Sequence, residues 1–453
     1  MKRDAHWIAE ATGGRVVCEG DGSQFERATI DSREAGPGTL FVGLPGATAD
    51  GGTYAPQALQ NGAWGVLVAE DHAQQAASCQ EGASREPRAG GAVIAVREPL
   101  QALHALARSY RRELQATVIG VTGSTGKTST KDILTALMRQ QKRTHASREN
   151  WNTEIGLPLT ILEAPPETEA LVLEMAMRGQ GQIAELVAVA EPDVGLIVNV
   201  GPVHLEILGT IEKVAAAKAE LIRDLRPGAA CVVPYAERLL AEHLRDDLVT
   251  RTFGEGGDFD LESFIDGKAT ILARGERIEL ELPYDQPHNL QNTLAATAAA
   301  VLAGVHPSGR VDVQFSSLRG EIVEIAGGVK VINDCYNANP MSMRAALDYL
   351  ADSPAERRIA ILGTMAELGP DGERYHREIG AHAAELGIDV LVTVGEAALP
   401  YTAAFDGERH PVATPEEAGA LLAEIARPGD RVLVKGSRSV GLERVLEPDM
   451  ATH

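Results

Sequence analysis

The feature that most constrains this fold is a glycine-rich loop between an apolar segment and a helical one. The apolar segment is Thr117–Val121, the loop reads T-G-S-T-G-K-T, and helical spacing of apolar residues follows near 127–139. Gly123 and Gly126 let the backbone curl so that its amides point at a phosphate chain, and the helix N-terminus adds its dipole. The segment therefore predicts a strand, a phosphate-binding loop and a helix.

Two side chains at the end of this loop favour nucleotide binding. Lys127 adds a positive charge, and Thr128 supplies the hydroxyl that a phosphate-bound Mg²⁺ requires. The strict G-x-x-x-x-G-K-[ST] spacing would need glycine at Val121, so the loop is a shorter variant. The alternative is a glycine-rich turn with a surface lysine, and the strand before and the helix after argue against it. We predict phosphate contacts from Gly123, Ser124, Thr125, Gly126, Lys127, Thr128 and Ser129.

The length of the chain predicts several domains. Its 453 residues exceed the roughly 250–300 at which a single hydrophobic core stops growing. Apolar segments alternate with helical ones, which is typical of mostly parallel sheets covered by helices. We predict an α/β protein with a small N-terminal α/β domain (1–98), a central P-loop-type domain with a mostly parallel sheet (99–315) and a C-terminal Rossmann-like domain (316–453).

The predicted elements follow from the apolar pattern. The predicted strands are Arg15–Cys18, Ala28–Asp31, Thr39–Leu44, Gly65–Val68, Ala92–Val96, Thr117–Val121, Ala170–Leu173, Val194–Val198, Val329–Ile332, Arg358–Leu362, Val390–Val394 and Arg431–Val434. The predicted helices cover 99–114, 127–139, 182–190, 211–225 and 290–303. Alternation around Asp266-Gly267 predicts a hairpin. Residues 73–91 are poor in large apolar residues, so we expect a solvated loop there.

Charge and cysteine content narrow the class of protein. The formal charge is −22, with 64 acidic and 42 basic residues, and such a surface repels nucleic acid. No segment reaches the ~18 consecutive apolar residues of a membrane-spanning helix, and the N-terminus does not resemble a signal peptide. Cys18, Cys79, Cys231 and Cys335 are scattered, which is typical of reduced thiols. We expect a cytoplasmic monomer that acts on small molecules.

A series of motifs accompanies the loop along the chain. In order they are Asp31-Ser32-Arg33, Pro37–Val42, Glu149–Gly156, Glu174, Asn199–His204, Ala217–Glu220, His288–Asn292, Arg319, Asn333–Pro340, Gly363–Gly369 and Lys435–Ser439. Together they resemble the Mur ligases over nearly the whole chain. The runs Y-N-A-N-P-x-S-M and K-G-S-R-S are similar to the branch that adds D-alanyl-D-alanine, and the D-N-P-R of the diaminopimelate-adding branch is absent. One departure is Gly52, where these ligases usually carry histidine.

The resemblance implies an ATP-dependent amide ligase of bacterial cell-wall peptidoglycan synthesis. Its substrates would be UDP-N-acetylmuramoyl-tripeptide and D-alanyl-D-alanine, and its products the UDP-linked pentapeptide, ADP and phosphate. A carboxylate is a poor acyl donor, so transfer of the γ-phosphoryl group would give an acyl phosphate that the amine attacks. Because both steps gather negative charge, the site must supply cations and hydrogen-bond donors.

The resemblance also implies the residues that bind two Mg²⁺ ions and catalyse the reaction. Lys127 would hold the β- and γ-phosphates. Glu174, at a strand end, would ligate Mg²⁺ with Thr128, and the alternative is a local pair with Arg178. His204 would be a second metal ligand, although a lone histidine is more often structural. Lys218 would be carbamylated by CO₂ and bind the second ion, whereas its spacing alone suggests a solvated helix lysine.

Other contacts carry over from the same family. Asn289 would meet adenine or cap its helix, and Arg319 and Asp334 would meet the phosphate and ribose or form surface salt bridges. Asn337 and Asn339 suit loop or left-handed positions as well as a ligand. The residues expected at the two substrates are Ser32, Arg33, Asn150, Asn152, Asn337, Asn339, Lys435, Ser437 and Arg438.

Three other functions are weighed against this one. A sister ligase would add a different amino acid, and a panel of acceptors would identify it. A nucleotide-dependent phosphotransferase would leave phosphate on its product. A non-catalytic nucleotide-binding regulator is disfavoured because Glu174, His204 and the phosphate loop occur together. The sequence does not reveal whether the third residue of the tripeptide is diaminopimelate or lysine.

Overall fold

The protein folds around three separate sheets. The computed structural model describes residues 3–21, 23–81, 91–148 and 150–446, and of the side chains in this part it leaves out those of 79–81. The side chain of Cys79 and the whole of Glu149 therefore lie outside the described part. Sheets of five, ten and six strands follow one another along the chain and are covered by helices. The α/β prediction is confirmed, while the domain limits at 98/99 and 315/316 stay predictions.

The first sheet has the strand order β1-β5-β4-β3-β2 and is parallel except for β1. Its strands are β1 (Arg15–Cys18), β2 (Arg27–Thr29), β3 (Thr39–Val42), β4 (Gly65–Ala69) and β5 (Ala92–Val96), and its helices are α1 (Ala5–Thr12), α2 (Ala55–Gln60) and α3 (Glu70–Glu81). The prediction of a loop over residues 73–91 is wrong for residues 73–81, which belong to helix α3. Ala73 and Ala76 form the small apolar face by which α3 packs into the core. Residues 82–90 lie outside the described part.

The central sheet contains the strand that precedes the phosphate loop. Its strands are β6 (Thr117–Thr122), β7 (Thr144–Ala146), β8 (Ala170–Glu174), β9 (Val194–Ile197), β10 (Ala230–Pro234), β11 (Val249–Phe253), β12 (Phe259–Ile265), β13 (Lys268–Ala273), β14 (Glu276–Glu281) and β15 (Gly309–Arg310). Its helices are α4 (Pro99–Glu113), α5 (Lys127–Arg139), α6 (Gly156–Glu163), α7 (Gln182–Ala190), α8 (Leu205–Leu208), α9 (Ile211–Asp224) and α10 (Pro287–Leu302). The predicted hairpin is confirmed: Asp266 and Gly267, both with positive φ, join the antiparallel strands β12 and β13.

The third sheet has the order β16-β17-β21-β18-β19-β20 and is parallel except for β16. Its strands are β16 (Glu321–Ile325), β17 (Val329–Asp334), β18 (Arg357–Gly363), β19 (Val390–Val394), β20 (Glu408–Val412) and β21 (Asp430–Lys435), and its helices are α11 (Pro340–Asp352), α12 (Gly372–Glu385) and α13 (Pro415–Ile425). Short 3₁₀ helices cover Gly51–Tyr54, Arg238–His243, Ala326–Gly328, Gly369–Asp371, Glu396–Ala404, Arg438–Val440 and Leu442–Val445.

The strand order of the central sheet positions the candidate site. Strands β9, β6 and β8 are neighbours and run parallel, so their carboxyl ends meet at one edge of the sheet. The pairing of Val121 with Glu174 puts that carboxylate beside the start of the phosphate loop. No helix in the described part of the chain is long and apolar enough to cross a membrane.

Candidate active site

A cavity of about 1030 Å³ lies where the central sheet meets the third one. Its walls carry the residues predicted at the phosphates, the metals, the nucleotide and part of the substrate: Ser124, Thr125, Gly126, Lys127, Thr128, Ser129, Asn150, Asn152, Glu174, His204, Lys218, Asn289, Arg319, Asp334, Asn337, Asn339 and Lys435. These positions span more than 300 residues of sequence, and folding brings them to one place.

The phosphate loop is shaped by a close contact with α10. Gly126 is the N-cap of α5 and has a left-handed backbone, with φ of +75°. A Cβ atom at this position would lie 2.8 Å from Oδ1 of Asn292, so glycine is needed for space as well as for φ. The first turn of α5 then presents backbone amides that have no partner within the helix. That turn is suited to an anion.

Asn199 holds the loop from the neighbouring strand. Its Oδ1 accepts hydrogen bonds from the amides of Ser124 (3.1 Å) and Thr125 (3.0 Å), and its Nδ2 donates to the carbonyl of Thr125. The hydroxyl of Ser124 bonds to the backbone of Gly201 on the same segment. The amides of Ser124 and Thr125 are thus occupied, which leaves the start of α5 as the anion-binding part of the loop.

Lys127 and Glu174 face each other in the cavity. The Lys127 ammonium donates to the carbonyl of Gly123 at 2.9 Å. Burial lowers the pKa of Lys127, the Glu174 carboxylate opposes that effect, and the nearby Arg319 guanidinium adds to it. The alternative pairing of Glu174 with Arg178 is wrong, because Arg178 instead lies 3.6 Å from Glu367.

The Glu174 carboxylate is buried, and only one of its two oxygens has a hydrogen-bond donor. Its Oε1 accepts from Nδ2 of Asn152 at 2.8 Å, and its own amide donates to the hydroxyl of Ser147. Its Oε2 is buried and has no hydrogen-bond partner among the described residues. A buried carboxylate oxygen without a donor is costly unless a cation meets it.

His204 starts the short helix α8 and contacts the third domain. It has a left-handed backbone, with φ of +55°, and its Nδ1 is hydrogen-bonded to the carboxylate of Glu367. Burial lowers the pKa of His204, the Glu367 carboxylate opposes the effect, and Lys127 and Lys218 add to it. The imidazole therefore lies among cations on one side and meets a carboxylate on the other.

Lys218 is buried within α9, so the expectation of a solvated helix lysine is wrong. Its side chain is 2% exposed and lines the cavity. Burial takes the pKa of Lys218 well below its ordinary value, and the charge of Lys127 lowers it further. Among the residues that the structure describes, none forms a hydrogen bond or ion pair with this ammonium. A lysine in this state is a nucleophile at lower pH than usual.

The residues predicted at the nucleotide lie on two opposite walls. Asn289 is in the first turn of α10 and accepts from Asn292 at 3.3 Å, while the cap position belongs to Gln286. The Arg319 guanidinium stacks 3.9 Å from the centre of the Tyr336 ring. Asp334 forms a buried ion pair with Lys435, with 2.5 Å between Oδ2 and Nζ. The alternative prediction, that Arg319 and Asp334 form salt bridges on the surface, is therefore wrong.

Asparagines line the rest of the predicted substrate site. Asn150 and Asn152 lie on the segment that follows β7, and Asn337 and Asn339 lie between β17 and α11. Asn339 caps α11 through a reciprocal pair of hydrogen bonds with Ser342. Asn337 and Asn339 do lie in a loop, as the alternative allowed, but a left-handed backbone is wrong for both because neither has a positive φ.

Four predicted substrate residues lie outside this cavity. Arg33 is exposed and paired with Asp31, whose pKa it lowers to about 2, and the backbone carbonyl of Ser32 accepts from Asn61. Ser437 is buried against the loop that follows β18, and Arg438 pairs with Glu443 at 3.0 Å. Lys435, although in the cavity wall, has its ammonium engaged by Asp334 and by the carbonyl of Asn337.

The glycine at position 52 is compensated by a histidine from another element. A Cβ at Gly52 would lie 2.2 Å from Cδ2 of His72, which projects from α3. The His72 ring is 2.9 Å from Oδ2 of Asp50, and Asp50 also accepts from the amide of Gly52. An imidazole thus fills the space beside Asp50 even though the usual histidine is missing.

Sequence reasoning missed three residues that shape the site. Asn199 and Glu367 lie within motifs of the sequence but neither is assigned a role there, and no sequence pattern points to Ser147. Asn199 follows β9 directly enough to be expected at the sheet edge. The contact of Glu367 with His204 joins positions 163 residues apart and required the tertiary structure.

Comparison with known families identifies three consecutive matches. Residues 25–111 match the model "Mur ligase family, catalytic domain", residues 121–300 match "Mur ligase middle domain", and residues 318–438 match "Mur ligase, glutamate ligase domain". The three matches cover most of the chain in the order in which the three sheets occur.

Individual relatives are similar to this chain over nearly its whole length. A UDP-N-acetylmuramoyl-tripeptide–D-alanyl-D-alanine ligase of Synechocystis is 36% identical over 93% of this chain and 91% of its own length. The enzyme of that name from Bacillus subtilis is 33% identical over 99% of this chain and 98% of its own.

Solved structures give the same result. MurF from Acinetobacter baumannii superposes with a TM-score of 0.86 at 28% identity, covering 100% of this chain and 99% of that one. MurF ligase from Thermotoga maritima, in complex with ADP, gives 0.79 at 30% identity, covering 93% and 96%.

Proposed function

We infer the function of this chain from the family to which it belongs, the Mur ligases. The chain is an ATP-dependent ligase that joins D-alanyl-D-alanine to UDP-N-acetylmuramoyl-tripeptide in the synthesis of peptidoglycan precursors. The products are the UDP-linked pentapeptide, ADP and phosphate. We propose that the reaction takes place in the cytoplasm, where ATP and UDP-linked sugars occur, and that the enzyme is a monomer.

The observation that carries this proposal is the charge arrangement of the cavity. Lys127 from the central domain and Arg319 from the third domain bring positive charge to the cavity, and Glu174 directs an unpartnered carboxylate oxygen into the same space. Such an arrangement stabilises a polyphosphate together with the acyl phosphate that forms from it. It does not suit a neutral ligand, for which the buried charges would have no counterpart.

The chain's own residues support both chemical steps. The first turn of α5 and Lys127 would hold the terminal phosphates while the tripeptide carboxylate attacks the γ-phosphorus and ADP leaves. The dipeptide amine then attacks the acyl carbon, and phosphate leaves. Because Arg319 and Asp334 come from the third domain, docking of that domain would exclude water from the acyl phosphate.

We propose that the cavity binds Mg²⁺, and its residues fit that ion. Thr128 and Glu174 offer a hydroxyl and a buried carboxylate oxygen, which are the hard oxygen donors that Mg²⁺ prefers. His204 and Lys218 would serve a second ion. When bound, the ions would neutralise charge on the phosphates. Among the described residues no group of three His, Cys, Asp or Glu side chains is placed to hold an ion by itself, and Mg²⁺ typically takes waters and phosphate oxygens as further ligands.

We propose that Lys218 is carbamylated. Its buried, unpaired ammonium and lowered pKa favour reaction of the neutral amine with CO₂, which gives a carboxylate-like group. Replacement by Lys218→Arg keeps a cation but cannot form the carbamate, so turnover should be largely lost. Near-normal turnover of this variant would refute the carbamate.

We further propose roles for the three predicted domains. Residues 1–98, with Ser32 and Arg33, would hold the UDP-sugar end of the substrate. Residues 99–315 would hold ATP, and residues 316–453 would close on ATP and order D-alanyl-D-alanine. In this arrangement the asparagines Asn150, Asn152 and Asn337 would face the peptide parts of the substrates.

The proposal is tested by phosphate release from Mg-ATP and UDP-N-acetylmuramoyl-tripeptide, with and without D-alanyl-D-alanine. We expect release to depend on the dipeptide and mass spectrometry to detect the pentapeptide. Offering diaminopimelate with the shorter UDP-linked dipeptide tests the sister activity in parallel. A dipeptide that makes no difference would refute the assignment, and a phosphorylated product without an amide would indicate a phosphotransferase.

A further inference from the structure

Glu367 joins the third domain to the central domain beside the cavity. This residue lies in the loop between β18 and α12, within the Gly363–Gly369 motif to which the reaction assigns no role. Its carboxylate reaches His204 across the domain boundary and also lies 3.6 Å from Arg178. One residue of the third domain thus touches a proposed metal ligand of the central domain.

The loop that carries Glu367 is fixed within its own domain. The amide of Ala366 donates to the hydroxyl of Ser437 at 2.9 Å, and the amide of Ser437 donates to the carbonyl of Thr364 at 2.9 Å. The amide of Met365 donates to Nε2 of the buried His376 at 3.0 Å. Ser437, which is predicted to contact substrate, is thus also a hydrogen-bond partner of this loop.

The other side of the loop docks onto α8. The amide of Glu206 donates to the carbonyl of Glu367 at 3.2 Å. A Cβ at Gly369 would lie 3.2 Å from Cα of Glu206, so the two backbones pack closely at this point. His204 and Glu367 both have left-handed backbones, with φ of +55° and +61°. Two non-glycine residues in this conformation at one contact indicate that the surrounding structure determines it.

We propose that Glu367 is a positioning residue that orients His204 across the domain boundary. Its carboxylate accepts a hydrogen bond from Nδ1–H of the imidazole, which selects one tautomer and leaves the Nε2 lone pair free to bind a cation in the cavity. Since the carboxylate belongs to the third domain, the imidazole is oriented only while that domain is docked. This proposal rests on the metal role proposed for His204, and it couples domain docking to completion of the metal site.

The experiment measures Mn²⁺ binding to the enzyme with a non-hydrolysable ATP analogue, using electron paramagnetic resonance to count free Mn²⁺. We expect Glu367→Ala to weaken the more sensitive Mn²⁺ site about 10–100-fold, which is the usual effect of losing a carboxylate partner of a metal-binding histidine. Glu367→Gln keeps an acceptor for the Nδ1 proton, so we expect a smaller loss. Glu373→Ala is the matched control, because Glu373 forms only an exposed pair with Arg377 in α12.

The outcomes distinguish the alternatives. Wild-type Mn²⁺ affinity in Glu367→Ala would overturn the proposal, and equal losses in the Ala and Gln variants would instead make Glu367 a direct ligand. Thermal unfolding of each variant identifies a folding defect. If Glu367→Ala does not fold, the Mn²⁺ affinity of Glu367→Gln is compared with that of wild type instead. If wild type binds Mn²⁺ with nucleotide but forms no pentapeptide, the proposed ligase activity is wrong, while the Mn²⁺ affinities of the variants still test the positioning role of Glu367. Absence of nucleotide-dependent Mn²⁺ binding to wild type would overturn both.

Discussion

Replacement of Gly126 by alanine tests the geometry of the phosphate loop. Two separate costs arise in Gly126→Ala: the left-handed φ of +75°, and a Cβ only 2.8 Å from Oδ1 of Asn292. The first costs about 1–2 kcal/mol. The second either strains a packed site or displaces the Asn292 amide from its hydrogen bond to Asn289, and adds about 2–3 kcal/mol.

A matched control separates the two costs. Gly181 is also an N-cap glycine in the left-handed region, with φ of +87°, and a Cβ there would have no atom within 4 Å. Gly181→Ala should therefore show the conformational cost alone. At about 3 °C for each kcal/mol in a domain of this size, we expect melting to fall by about 3–6 °C in Gly181→Ala and about 9–15 °C in Gly126→Ala.

Nucleotide affinity provides the second measurement. A shifted N-terminus of α5 loses the equivalent of one or two contacts to phosphate, so titration calorimetry should show ATP binding about 10–100-fold weaker in Gly126→Ala. Binding should be unchanged in Gly181→Ala. Equal melting temperatures and equal ATP affinities in the two variants would refute the argument that Asn292 limits the space at Gly126.

Three further predictions follow from buried groups. Glu174→Gln keeps the acceptor for Asn152 but removes the charge, so steady-state phosphate release should fall about 10²–10³-fold and require more Mg²⁺; unchanged kinetics would contradict the role of Glu174. Lys218→Met should abolish turnover yet unfold at higher urea than wild type at pH 7 in CO₂-depleted buffer, because burial lowers the pKa of Lys218, so the folded state binds this proton less tightly than the unfolded chain does. That advantage should shrink as pH rises from the lowered pKa of the folded state towards about 10.5 and be lost above it, where both states are neutral, and an advantage that does not change with pH would contradict the explanation. Burial raises the pKa of Cys231 to about 12, so peptide mapping should find this thiol unmodified by iodoacetamide at pH 8 in native protein and modified after denaturation; native labelling would argue against its burial.

Local pattern was sufficient for most of the fold because buried parallel strands are apolar throughout. Predicted strands Arg15–Cys18, Ala92–Val96 and Val390–Val394 have the observed limits. The strand Glu408–Val412 was missed because it is polar and contains Pro411, features that a strand tolerates at a sheet edge. It exists because β19 pairs with it, and that neighbour is not visible in the segment itself.

The site was predictable where motif and strand end coincide, as at Lys127 and Glu174. It was not predictable where distant segments pair. Lys435 was expected to meet a substrate carboxylate, but β17 and β21 are adjacent and their register puts Asp334 opposite it. The burial of Lys218 likewise depends on which elements pack over α9, and the spacing of residues within that helix does not predict them.

The cavity has one wall in the central domain and one in the third, and this has a consequence for cooperativity. A ligand that contacts both walls ties together two bodies that already meet at contacts such as that of His204 with Glu367. Its binding free energy opposes the unfolding of either body. Bound nucleotide should therefore favour melting of the two domains as one transition, and this coupling should weaken as the nucleotide is removed.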